Sequence, residues 1–133
     1  MIEVYYNWLI KQKFLVLISF ILTTIGIMIL TLMPPENLGS SRLYNYDKLG
    51  HFSIFFIWTF LFALSVATFK NRKTPLFVIF LAGSFFGISI EILQYLTPYG
   101  RSANVLDAAA DIAGSLAAVL LLGYLQKQTV NRR

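Results

Sequence analysis

The chain has 133 residues, 57% of them apolar by type and only 13% charged, with a mean hydropathy of +0.68. A water-soluble domain carries about a quarter charged residues, so this composition excludes an ordinary aqueous core and points to a bilayer as the solvent. The absence of cysteine excludes a disulfide framework, a zinc–cysteine cluster and a thiol nucleophile. The net charge of +5 is split into short basic clusters between apolar runs, a pattern that orients a membrane protein rather than tracking a nucleic-acid backbone.

Four apolar runs follow in chain order. Residues 14–33 carry no charge and are long enough to cross a hydrocarbon core of about 30 Å. The run ends at Pro34-Pro35, which cannot continue a helix. It is longer than a typical signal-peptide core and lacks a small-x-small cleavage site, so it is read as a retained span. Residues 52–69 form a second uncharged, Phe-rich run closed by Lys70, Arg72 and Lys73. The third run starts at Pro75, a residue suited to a helix N-terminus, and reaches Leu96 with one carboxylate, Glu91. The fourth, residues 104–125, contains Asp107 and Asp111. Ser102 and Asn104 are its candidate N-caps. The expected fold is an all-α membrane protein, a four-span antiparallel transmembrane helix bundle forming a single domain. A soluble all-α fold is hard to reconcile with four charge-poor runs of spanning length.

Flanking charge gives an orientation. Lys11, Lys13, Lys70, Arg72, Lys73, Lys127, Arg132 and Arg133 fall on one side, and Arg42, Lys48 and Arg101 on the other. The basic-rich side is cytoplasmic by the positive-inside rule, which predicts an N-in, C-in topology. Tyr5, Tyr6 and Trp8 then suit the inner interface, and Tyr44, Tyr46, Tyr95 and Tyr99 the outer one. Every carboxylate except Glu3 falls at or just below the outer surface.

Three segments bring polar groups toward that surface. Asp47 and His51 are four residues apart and share a face if the helix begins by Asp47. Gly83, Gly87, Glu91 and Gln94 form one stripe on the third span. Asn104, Asp107, Asp111, Gly114 and Ala118 form another on the fourth, and Ser19, Thr23 and Gly26 make a weaker one on the first. Small residues on a transmembrane stripe let helix backbones approach closely, so polar residues on the same stripe point into that contact. Glu91 and Asp111 lie roughly 8–11 Å in from their span ends, where a lipid-facing carboxylate is disfavoured. They should face one another, His51, trapped water, or the cations Arg101 and Lys48, of which the Arg101 fork is the natural counter-ion. Two readings compete: a structural clamp joining three helix ends, and a site for ligand binding or catalysis. Buried ion pairs give little net stability, which favours the site. Imidazole and carboxylates can share a divalent metal, but no dedicated metal motif is present, and neither a metal nor another cofactor is expected. No phosphate-cradling glycine loop or Ser-His-Asp arrangement occurs.

The combination Asp47-Lys48-x-x-His51-Phe52, then Glu91-x-x-Gln94, then Arg101, Asp107 and Gly114, resembles the VanZ-like family of bacterial integral membrane proteins, from about residue 47 to residue 121. Many relatives carry Asn where this chain has Asp111, and an acidic residue where it has Ile90. The resemblance implies a small multi-pass protein of the bacterial cell membrane; the founding member is associated with low-level resistance to the glycopeptide teicoplanin. No settled reaction or substrate comes with the family. The reading that follows is a binder or modulator of a cell-envelope component or glycopeptide antibiotic, with Asp47, Lys48, His51, Glu91, Gln94, Arg101, Asp107 and Asp111 as candidate ligand-binding residues. Its partners would be membrane lipids and an envelope polymer or lipid-linked ligand, with no nucleic acid. The alternative is an intramembrane enzyme acting on a lipid-linked envelope substrate by acid/base chemistry, with Asp47, His51 and Glu91 as catalytic candidates and Arg101 and Lys48 holding a phosphate or carboxylate. A transporter is disfavoured because the embedded charges occupy only one end of the spans.

Overall fold

A computed structural model describes residue 8 and residues 11–34, 47–70, 74–98 and 103–130; the side chains of Asp47, Lys70, Thr129 and Val130 fall outside the description. The described residues form four long helices and no strand: α1 (Lys13–Leu32), α2 (Asp47–Lys70), α3 (Leu76–Leu96) and α4 (Val105–Val130). All four are long and apolar enough to cross a membrane. Hydrocarbon offers no partner to backbone N–H and C=O groups, so a spanning segment must satisfy them internally, as a helix does. Polar hydroxyls follow the same rule. Those of Thr23, Thr24, Thr31, Ser65 and Ser89 donate to the carbonyl four residues earlier, and that of Thr68 to the one three residues earlier.

Sequence punctuation sets the helix ends. α1 stops at Leu32 and Met33 turns to extended backbone, because the residue before Pro34-Pro35 is pushed out of the helical region. Pro75 sits at the N-cap of α3. Asn104 caps α4, its Oδ1 accepting the Leu106 N–H at 2.9 Å. α2 starts at Asp47, before its uncharged run, so Asp47, Lys48 and His51 share one helix. α4 continues past its apolar run to Val130.

The helices pack in two apolar layers. Val16 of α1 joins Ala63 and Leu64 of α2, Ile79 of α3 and Val119, Leu122 and Leu125 of α4. Ile27 joins Phe55, Trp58 and Ile90, with Phe20 and Phe86 beside them. Val16 meets the end of α2 and Ile27 its earlier half, so α1 and α2 pass in opposite senses. In lipid the apolar tails compete equally well for these side chains, so association depends on close packing and interhelical hydrogen bonds. Trp58 supplies both to α1: its ring packs against Phe20 with centroids 5.3 Å apart, and its Nε1–H donates to Thr24 Oγ1 at 2.9 Å, while its other side stacks on Phe86 of α3 with centroids 4.4 Å apart. α2 and α4 pack most extensively, and α1 is the peripheral helix. Large apolar side chains on all four helices point outward, Phe14, Phe85 and Val105 among them, as a lipid-facing surface requires.

Candidate functional site

Three stripes, each stepping by four residues, meet along the α2–α3–α4 seam. On α2 they are Thr59, Phe55 and His51; on α3, Gly83, Gly87 and Glu91; on α4, Ser115, Asp111 and Asp107. The lowest layer is a hydroxyl pair, Thr59 Oγ1 donating to Ser115 Oγ at 2.9 Å. Gly83 leaves room for it, since a Cβ there would lie 2.6 Å from Thr59 Oγ1 and 2.7 Å from Ser115 Oγ. In the next layer a Cβ on Gly87 would lie 2.7 Å from Asp111 Cβ and 3.2 Å from its Oδ2. Gly87 therefore makes the space that the Asp111 carboxylate occupies. Gly114 works on the other side of α4: a Cβ there would collide with the Phe52 carbonyl of α2, so α2 and α4 meet backbone to backbone. The expectation that small residues bring these helices together holds for Gly83, Gly87 and Gly114. It fails for Gly26, where a Cβ would meet nothing within 4 Å; α1 is held through Thr24 instead.

The top of the seam is polar. Asp111 is fully buried and Glu91 is 5% exposed. His51 Nδ1 lies 2.9 Å from Asp111 Oδ1 and 3.8 Å from Glu91 Oε1. Glu91 Oε2 accepts the backbone N–H of Asn104 at 3.0 Å, which ties the end of α3 to the start of α4 and places a carboxylate at a helix N-terminus, where the dipole favours it. Its other oxygen, Oε1, is buried and accepts no hydrogen bond from the described residues. Asp107, in the first turn of α4, is buried, with Oδ1 3.7 Å from Lys48 Nζ. The Lys48 side chain is 54% exposed, so this pair opens to the surroundings while Glu91 and Asp111 lie beneath it. One ligand atom each from His51, Glu91 and Asp111 can be chosen so that all three fall within 4.8 Å of one another, a separation compatible with one shared cation.

Of the eight residues singled out by sequence, the described structure gathers Lys48, His51, Glu91, Asp107 and Asp111. Gln94, half-buried on α3, makes no side-chain hydrogen bond to the described residues of the cluster. The Asp47 side chain and Arg101, the proposed counter-ion, lie outside the described residues, as do Ser102, Tyr5, Tyr6, Tyr44, Tyr46 and Tyr99. Phe55, Thr59 and Ser115 were not singled out, although steps of four onward from His51 and from Asp111 reach them.

A family model described as VanZ/LLP1 matches residues 6–126, which include every element of this cluster. The chain belongs to the VanZ/LLP1 family. No curated protein and no solved structure matches it. Within this VanZ/LLP1 protein, Asp111 is among the most buried polar residues described and, among the described side chains, the nearest carboxylate to the imidazole.

Proposed function

We propose that this VanZ/LLP1 protein resides in a bacterial cell membrane with both termini in the cytoplasm. There it binds or modulates a cell-envelope component through the polar cluster at the outer ends of α2, α3 and α4. The ligand class is a glycopeptide of the teicoplanin type or a lipid-linked wall polymer, in line with the resistance association of the founding member. The observation that carries this reading is the burial of three carboxylates beside a partly buried imidazole, drawn from three helices, at one end of a largely apolar bundle. An ionised carboxylate near a membrane centre costs about 2.5–3.5 kcal/mol even on the lenient insertion scale, and ion-pair gluing returns little net stability. Such a concentration is better accounted for by ligand recognition than by helix adhesion. Lys48, half-exposed above Asp107, gives an incoming anionic group its first contact.

The test compares a deletion strain complemented with the unaltered chain, with Glu91→Gln, with Arg101→Ala and with Arg42→Ala. Glycopeptide susceptibility and the extracted lipid and wall-polymer profile are the readouts. Glu91→Gln and Arg101→Ala should abolish complementation and Arg42→Ala should preserve it, because only Arg101 neighbours the embedded acids in sequence. Unchanged susceptibility and envelope profile across all strains would refute the proposal.

The acid/base enzyme reading draws support from one contact, the 2.9 Å pair of His51 and Asp111 with Glu91 beside it, since a carboxylate-oriented imidazole is a common general base. Turnover of a lipid-linked substrate by purified protein, lost in a folded His51→Ala variant, would favour it over binding alone.

A further inference from the structure

We infer that His51, Glu91 and Asp111 form a binding site for one divalent first-row transition ion, of the Zn²⁺ or Mn²⁺ class. The site rests on reading the cluster as a place of ligand binding rather than a clamp, and it identifies one ligand of that place. Four observations support it.

The donor set comes first. One imidazole and two carboxylates from three different helices offer three ligand atoms within 4.8 Å of one another. Zinc holds His nitrogen and carboxylate oxygen at about 2.0–2.2 Å, so ligand atoms around one ion stand about 3.0–3.5 Å apart for octahedral or tetrahedral angles. Two of the three separations, 2.9 Å from His51 to Asp111 and 3.8 Å from His51 to Glu91, lie near that spacing, and the third is no more than 4.8 Å, so a bound ion would draw the carboxylates inward by rotamer-scale adjustment.

The second observation is Glu91 itself. The residue is 5% exposed, and its Oε1 accepts no hydrogen bond from described residues while facing the imidazole. Leaving a buried carboxylate oxygen unsatisfied is expensive; a cation removes that deficit. Its partner oxygen is fixed by the Asn104 N–H, the kind of outer contact that aims a metal-ligating carboxylate.

Charge is the third. Among the described residues, three carboxylates, Glu91, Asp107 and Asp111, face a single ammonium, Lys48, and leave a net charge of −2 with a neutral imidazole. A divalent ion balances it.

The fourth is the fit of the surroundings. Gly87 vacates the volume taken by the Asp111 carboxylate, so the backbone of α3 is shaped around a ligand side chain. The mixed nitrogen–oxygen set selects among ions. Ca²⁺ takes six to eight oxygens and Mg²⁺ retains waters and oxygens, whereas imidazole suits Zn²⁺ and its transition-metal neighbours. With three protein ligands a coordination position stays open for water or an incoming group. Coordination through His51 Nδ1 requires the ring proton to sit on Nε2.

Purified full-length protein in detergent, stripped with a chelator, is titrated with Zn²⁺ by calorimetry and with Co²⁺ by visible absorption. The expected result is one ion per chain, Co²⁺ d–d bands, and a thermal midpoint raised by Zn²⁺. His51→Ala and Glu91→Gln should each weaken Zn²⁺ at least about 100-fold, the scale reached by losing even an outer-shell partner. Glu3→Gln, remote in sequence from the cluster, should leave affinity unchanged. Should those variants not fold, X-ray absorption on the unaltered Zn²⁺-loaded protein reads the ligands directly, requiring one nitrogen among oxygen neighbours. Absence of saturable binding, affinity retained in folded His51→Ala and Glu91→Gln, or a sulfur- or multi-imidazole-like absorption spectrum would overturn the site. The two proposals fail separately. No metal binding together with loss of complementation by Glu91→Gln overturns the metal and leaves the envelope reading; metal binding with unchanged susceptibility and envelope profile does the reverse.

Discussion

Gly114 and Gly26 look alike in the sequence, each a glycine on an apolar helix, yet their surroundings make opposite demands. A methyl group at Gly114 meets the Phe52 carbonyl, which is backbone and cannot swing aside, whereas one at Gly26 meets open space. Gly114→Ala should therefore destabilise the protein by about 1–3 kcal/mol or more through overpacking. Gly26→Ala should be neutral or stabilising by up to about 1 kcal/mol, because alanine is the better helix former. Reversible unfolding in mixed micelles measures both, and equal effects would contradict the backbone contact. The hydroxyl pair below the cluster is a second case. Removing either partner alone, by Thr59→Val or Ser115→Ala, leaves the other buried hydroxyl without its hydrogen bond, at about 1–3 kcal/mol. The double variant should cost less than the two singles together, with a coupling of about 0.5–1.7 kcal/mol, the range seen for such bonds between membrane helices. Strict additivity would mean that the pair contributes nothing.

Helix by helix, periodicity and punctuation were good guides to existence and ends. Charge-poor runs, the first closed by a proline pair and the second by a basic cluster, became α1 to α4, and Asn104 took the capping role its residue type suggests. Spacing along one helix also identified which groups share a stripe, as with Gly83, Gly87 and Glu91. It could not say which stripe faces which. The bond between His51 and Asp111 spans sixty positions, and its formation depends on Gly87 and Gly114 setting how closely α4 approaches its two neighbours. The Thr24–Trp58 bond was equally invisible, since both residue types also occur on lipid-facing or interfacial surfaces. Trp58→Phe tests what that bond does for α1. The ring stack on Phe86 survives in kind while the N–H donor is lost, so stability should fall by about 1 kcal/mol. Cross-linking between Val16→Cys and Ala63→Cys, feasible in a chain without native cysteine, should become slower, with the metal affinity proposed for the α2–α4 cluster unchanged. A matching loss of metal affinity would show that α1 shapes the cluster.

For the whole molecule, the asymmetry of charge is the organising fact: in the sequence, basic residues concentrate beside one set of helix ends, and the buried acids Glu91, Asp107 and Asp111 cluster at the other. The proposed orientation makes a direct prediction. Single-cysteine variants Ala103→Cys and Gln128→Cys in intact cells should behave oppositely toward a membrane-impermeant maleimide, with Ala103→Cys labelled from outside and Gln128→Cys labelled only after lysis. The inverse pattern would place the cluster on the cytoplasmic side and remove the envelope ligand from reach. The acids, the imidazole and the lysine of the cluster all belong to α2, α3 and α4, while α1 touches the bundle through Trp58 and two apolar layers. A chain severed between its first two hydrophobic segments would thus keep its polar cluster on a single fragment, and the leading segment, supplied as a separate peptide, would have to redock only against Trp58 and the two apolar layers to rebuild the whole.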